Sequence, residues 1–185
     1  MQKVAISMKQ EDIDCLGRIK KNYGEILATS ARLYELRPEV LAGIMMRETR
    51  GGESKLLDIP GPGGRGDGGH GHGLFQIDDR SFPDWIALGA WSWPQSATLM
   101  ACKILKDKKR TINSLCYKNG IDLDSADLER AMIASFNCGE GNVMKALKAD
   151  KSPDEHTAHG DYSQAVLDYA DVYKTFLDTE APTAI

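Results

Sequence analysis

Glu48 is the residue in this chain best placed to do chemistry. It continues the apolar positions Leu41, Ile44 and Met45 at the i, i+3, i+4, i+7 spacing of one helix face, which points its carboxyl toward a core or a cleft wall. Gly51 and Gly52 follow, so the glutamate falls in the last turn of that helix, where the dipole disfavours a negative charge. Burial and dipole act in the same direction and raise a carboxyl pKa. A glutamic acid still protonated near about pH 6 can act as a general acid, giving its proton to the leaving oxygen of a glycosidic bond. The same position also admits a glutamate turned outward or paired with Arg47 or Arg50. Glu53 is a substitute acid, but it lies in a loop without apolar context.

Acid chemistry of this kind needs a second group on the other side of the bond, and the glycine segment offers two. Ten of the 18 glycines fall between Gly51 and Gly73, in a stretch that holds Asp67 and runs on to Asp78. Glycines let a backbone come close to a polymeric ligand. Other patterns in this stretch carry less. Gly61 to Gly66 matches G-x-G-x-x-G, yet it contains Pro62, follows no strand and is followed by no P-loop lysine. Arg65-Gly66-Asp67 is a tripeptide common by chance. His70 and His72 with Asp67 and Asp78 have zinc-compatible chemistry, but two loop histidines without metal are the plainer reading.

The elements that must hold these groups read as mainly helical. Residues 10–36 form one or two helices, with a break near Tyr23 and Gly24, and Pro38 opens the next helix. Residues 53–73 read as loop and 74–77 as a short strand or turn edge. Further helices run from Pro94 to about Arg110, from about Ser125 to Asn137 and from Asn142 to Ala149. In the last helix Asp161 serves as N-cap, and Tyr162, Ala165, Val166, Tyr169, Val172, Tyr173 and Phe176 form a regular stripe. Trp85, Trp91 and Trp93 cluster before the Pro94 helix, where they can stack on sugar faces or anchor a loop to the core.

With 185 residues and 42% hydrophobic positions the chain suits a single domain, residues 1–185, with loose ends at 1–9 and 179–185. The net charge of −4 argues against a nucleic-acid partner held by a general positive field. The acidity is local: residues 150–185 carry two basic and eight acidic groups, and the remainder 21 basic against 19 acidic. Lys103, Lys106, Lys108, Lys109 and Arg110, opposed only by Asp107, form the strongest basic run. No apolar run is long enough to span a membrane, and Met1 to Met8 is too short for a secretory h-region. Cys15, Cys102, Cys116 and Cys138 show no CxxC spacing. They permit two disulfides in three pairings, but a core of this size leads us to expect buried free thiols.

Four blocks together resemble the goose-type (g-type) lysozyme family. Arg37 to Glu48 is similar to the family's catalytic helix, with its glutamate at Glu48. Gly71-His72-Gly73-Leu74-Phe75-Gln76-Ile77-Asp78 resembles the GxGLMQVD block, with Gly66-Asp67 at the right offset before it. Phe136-Asn137-Cys138-Gly139-Glu140-Gly141-Asn142-Val143 resembles YNAGxGNV, and Asp161-Tyr162 the DYA segment. The blocks occur in the family's order. Phe136 replaces the usual tyrosine and Cys138 an alanine, and the stretch between Glu48 and Asp67 is longer than in animal members.

The resemblance implies a lysozyme-like fold of the mainly α (α+β) class, a helical bundle around a catalytic cleft with a small irregular β element. It implies hydrolysis of the β-1,4 bond between N-acetylmuramic acid and N-acetylglucosamine in peptidoglycan, a bacteriolytic activity. In that reading Glu48 is the acid, and Asp67 and Asp78 hold water on the opposite side. Such an inverting mechanism uses carboxyls about 6.5 to 9.5 Å apart. Gln76, Asn137, Tyr162, Phe136 and His72 are the expected sugar contacts. No cofactor or metal is expected. Expected partners are peptidoglycan and N-acetylglucosamine oligomers, with proteinaceous lysozyme inhibitors a further class, and the protein is expected to be a monomer. Action on a wall implies a secreted or phage-released protein. The rivals are a lytic transglycosylase, which gives 1,6-anhydro products without a second carboxylate, and a non-catalytic wall-binding module.

Overall fold

Helix α1 (Gln10–Tyr34) carries Leu16, Ile19, Leu27 and Ala31 into the interior and runs without interruption through Gly24. The computed structural model describes residues 8–179, so the chain ends expected to be loose lie largely outside the described residues. The expected break near Tyr23 does not form. A glycine inside a helix costs about 1 kcal/mol, and burial on both sides of Gly24 outweighs it. A Cβ there would stand 3.0 Å from the flexible Lys20 side chain and 3.4 Å from Tyr173 Oη, so the position is closely packed.

Helix α2 (Pro38–Thr49) opens on its proline, as expected, and is buried from Val40 to Met46. It packs against α1 and against α7 (Tyr162–Asp178). The α2–α7 crossing is as close as backbone allows: a Cβ on Gly43 would stand 2.3 Å from the carbonyl oxygen of Val166. This contact fixes the start of α7 beside the end of α2. The helix α4 (Pro94–Lys118) continues two turns past the expected Arg110. Its extension is explained by Ile112 and Cys116, which enter a second apolar cluster with Ala131, Ala134, Val143 and Met144. Those four come from α5 (Ser125–Cys138) and α6 (Glu140–Lys148).

Between α2 and α4 lie a short helix α3 (Pro83–Ala87) and a small antiparallel sheet of β1 (Arg65–Gly66), β2 (Gly71–His72) and β3 (Ile77–Asp78), in that order. Arg65 pairs with His72, and Gly71 with Asp78. The stretch expected to be loop thus contains two strands, and the expected strand at 74–77 contributes only Ile77 to pairing. Leu74 and Phe75 instead turn inward as core residues. The architecture is mainly α with a small β element. All four cysteines are free; Cys15, Cys102 and Cys116 are buried and Cys138 is half-buried. No described helix is long and apolar enough to cross a membrane.

Candidate active site

The last turn of α2 presents Glu48 to a cleft of about 420 Å³. The helix stops one residue later because Arg50 adopts a left-handed conformation (φ 52°) and caps the helix through its own N–H. Thr49 then ties this end to the sheet: its hydroxyl donates to the Leu74 carbonyl at 2.9 Å and accepts from the Gly52 N–H at 3.2 Å. Glu48 and the β segment are therefore positioned by one anchor.

Glu48 is half-buried on the cleft wall, and the Tyr162 hydroxyl donates a hydrogen bond to its Oε1. The pairing alternatives for this carboxyl do not form. Arg47 pairs with Asp161 at 2.8 Å and lies over the Tyr162 ring, while Arg50 pairs with Asp12 at 2.6 Å. Burial is the largest influence on Glu48 and pushes its pKa up to about 7, against the smaller opposing pulls of the Tyr162 bond and the Arg47 charge. Tyr162 is itself pushed well above the usual phenol range by burial and by Glu48. The pair has one dissociable proton to give in the neutral range, and it belongs to the glutamate.

Asp67 and Asp78 line the same cleft. They meet at Arg80, a residue that sequence reasoning passed over. Its Nη2 donates to Asp67 at 3.0 Å and to Asp78 at 2.6 Å, and its Nε bridges both Asp78 oxygens. The Arg80 guanidinium and backbone N–H hold the Asp78 carboxyl below its ordinary range. Among the described residues the Asp67 side chain has only this single contact; it is 70% exposed and sits at φ 50°, a strained backbone for a non-glycine residue. The Asp78-x-Arg80 spacing was the available signal: a cation two residues from a carboxylate can fold back on it across a turn.

Of the expected sugar contacts, Gln76, Phe136 and Asn137 line the cleft. Gln76 spends its amide on the backbone, donating to the carbonyls of Gly73 at 2.8 Å and Gly64 at 3.3 Å, and it too has a positive φ of 47°. A Cβ on Gly66 or Gly71 would stand 2.5 or 2.6 Å from its Oε1, so both neighbours must be small. Asn137 accepts from the Ala158 N–H at 2.9 Å and joins the end of α5 to the turn before α7. Tyr162 reaches the site through Glu48. His72 is not among the lining residues: it is buried, with Nε2 3.3 Å from Asp79 and its ring edge-on to Trp91 at 4.9 Å. His70 also turns to Asp79, at 2.9 Å. No group of three His, Cys, Asp or Glu is placed to hold a metal ion among the described residues.

Two further residues take roles that the sequence did not assign them. Lys108, read from the sequence as part of the α4 basic run, lines the cleft and pairs with Glu140 at 3.2 Å. Asp154, buried in the turn Pro153–His156, accepts from the backbone N–H groups of Ser163 at 2.8 Å and Gln164 at 3.3 Å, and from the Ser163 hydroxyl at 2.6 Å. It thereby caps α7. Asp161 occupies the cap position but makes no side-chain cap bond, since its carboxylate is engaged by Arg47.

Residues 4–176 match the protein family described as Lysozyme g. A lysozyme g of Casuarius casuarius is 32% identical over 144 residues, covering 74% of this chain and 64% of that protein. A lysozyme G of Dromaius novaehollandiae is 31% identical over 144 residues, covering 74% and 58%. A lysozyme g of Takifugu rubripes is 30% identical over 158 residues, covering 84% and 75%. The chain thus spans less than two thirds of the length of the two bird proteins.

Proposed function

Since the chain belongs to the lysozyme g family, we propose that it is a peptidoglycan hydrolase that cleaves the β-1,4 bond between N-acetylmuramic acid and N-acetylglucosamine. The observation that carries this reading is a half-buried glutamate, its pKa pushed up to about 7 by burial, sharing one cleft with two carboxylates held by a single arginine. Glu48 acts as the general acid. The Tyr162 bond occupies Oε1 and leaves Oε2 for the glycosidic oxygen. As the C1–O bond breaks, the leaving oxygen takes the Glu48 proton. A water on the opposite side forms the new bond to C1 and gives up a proton toward an aspartate, so the anomeric centre inverts.

The two aspartates divide the work. Asp78 is committed to Arg80 through both oxygens and orients it, while Asp67, with its second oxygen free of that guanidinium, positions the water. Gln76 holds the β segment in shape, and Asn137 and Phe136 wall the sugar site. Product analysis tests the reading. Digested peptidoglycan should yield reducing muropeptides carrying one added water, and Glu48→Gln should release almost none. Products lighter by one water, the 1,6-anhydro form, would assign the chain to transglycosylation instead. Full release by Glu48→Gln would remove Glu48 from the acid role.

A further inference from the structure

Trp85, Trp93 and the basic run of α4, Lys108 apart, come together on a face of the molecule outside the cleft. Ile104 and Lys108, four residues apart, look into the cleft. Leu99, Lys103, Lys106 and Arg110 recur at spacings of three and four on the opposite side of the same helix. Two open grooves run along that side, of about 460 and 490 Å³, and they are continuous through Tyr34 and Lys103, which line both.

The first groove is aromatic. Trp85 and Tyr34 are half-buried in its wall, while Trp93 is 70% exposed beside Gln95 and Ser96. A large indole left in water next to polar side chains is what the apolar C–H face of a pyranose ring stacks on, with the hydroxyls meeting the polar neighbours. The second groove is basic, with Lys103, Lys106, Lys109 and Arg110 against Glu35 and Asp107. Asp107 is shared between Lys103 at 2.7 Å and Arg110 at 3.4 Å, Glu35 takes Lys106 at 3.0 Å, and Lys109 forms no ion pair among the described residues. Exposed pairs of this kind are worth about 0–1 kcal/mol, so a ligand's carboxylates can replace them.

We infer that this face is an accessory binding surface for intact peptidoglycan strands: the aromatic groove takes a sugar of the strand and the basic groove the free carboxylates of its stem peptides. The charge excess matches that ligand, and the surface faces away from the cleft, so it holds the protein on the insoluble wall while a neighbouring strand enters the cleft. The inference rests on peptidoglycan being the substrate, and binding can be read without catalysis.

The test is co-sedimentation with purified sacculi stripped of teichoic acid, using full-length Glu48→Gln so that the wall is not digested. Trp93→Ala, and separately the triple change Lys103→Gln, Lys106→Gln and Lys109→Gln, should each raise the half-saturation concentration about tenfold. Added salt should weaken binding of the parent but have less effect on the lysine variant. With Glu48 intact, Trp93→Ala should turn over soluble N-acetylglucosamine oligomers at the parent rate and clear insoluble wall more slowly. Unchanged sedimentation of both variants would overturn the inference, as would binding seen only on walls that keep their teichoic acid. Loss of soluble-oligomer turnover in Trp93→Ala would place the residue in the cleft's machinery and overturn it too. A wild type that releases no sugar, yet sediments through this face, would refute the hydrolase reading and leave the surface standing.

Discussion

Replacing Glu48 by glutamine should make the protein more stable at alkaline pH and leave it nearly unchanged in acid. The folded protein raises the Glu48 pKa from 4.5 to about 7, so the native state holds this proton more tightly than the unfolded chain does. The contribution is therefore fully present below about pH 4.5, declines as pH rises and is lost above about pH 7. At about 1.36 kcal/mol per unit, a carboxylate forced to ionise in place costs ~3 kcal/mol. Its partial opening to the cleft reduces that to ~2 kcal/mol. Glutamine keeps the shape and the acceptor for Tyr162 but never ionises. For a chain of this length 1 kcal/mol moves Tm by about 2–4 °C, so Glu48→Gln should melt about 4–8 °C above wild type at pH 8, with the gap closing by pH 4. Thermal unfolding followed by circular dichroism at pH 4, 6 and 8 measures it. A gap independent of pH, or a variant less stable than wild type at pH 8, would refute the burial of an uncharged acid.

Tyr162→Phe removes a hydrogen bond that lowers the Glu48 pKa, so the alkaline limb of the pH–rate profile should move to higher pH while activity falls about tenfold. The profile of kcat/KM against pH checks the direction. Asp67→Asn should lose more activity than Asp78→Asn, because Asp67 alone has an oxygen free of Arg80; turbidity assays on bacterial wall compare them, and equal wild-type activity in the double variant would take both out of the mechanism. Asp154→Ala uncaps α7 and strands Arg130, whose Nε is already buried without a partner. Chemical denaturation should show a loss of ~2–4 kcal/mol, whereas Asp161→Ala, at the nominal cap position, should cost under about 1 kcal/mol.

What was legible in the sequence was whatever a local period determines. The stripe Leu41, Ile44, Met45, Glu48 gave α2 and the direction of its carboxyl. Pro38 and Pro94 marked two helix starts to the residue. The blocks around Asp78 and Asn137 delivered residues that do line one cleft. Errors occurred where distant packing overrides local preference. Gly24 is a helix breaker by propensity, yet the burial of Leu16, Ile19, Leu27 and Ala31 on either side carries α1 through it. Past Arg110 the α4 pattern looks polar, yet Ile112 and Cys116 are drawn into a cluster built by α5 and α6. His72, adjacent in sequence to cleft residues, faces Asp79 and Trp91 because neighbouring residues of a strand point to opposite sides.

The site's chemistry depends most on the part that was least legible. Glu48, Asn137 and Tyr162 all sit at helix termini, at the end of α2, the end of α5 and the start of α7. A terminus brings unsatisfied backbone groups into the site along with its side chain. Each is satisfied here through space: Thr49 anchors one end to Leu74, Asn137 receives the Ala158 N–H, and Asp154 caps α7 from eight residues upstream. Because Asp154 takes the capping role, Asp161 is released to engage Arg47, and Arg47 is thereby kept from pairing with Glu48. The Arg47 charge already lowers the Glu48 pKa from a distance, and a direct Glu48–Arg47 pair would lower it further, against what the proposed acid role requires. The displaced cap is thus tied to the surroundings of Glu48, and no reading of residue spacing along the chain could have shown it.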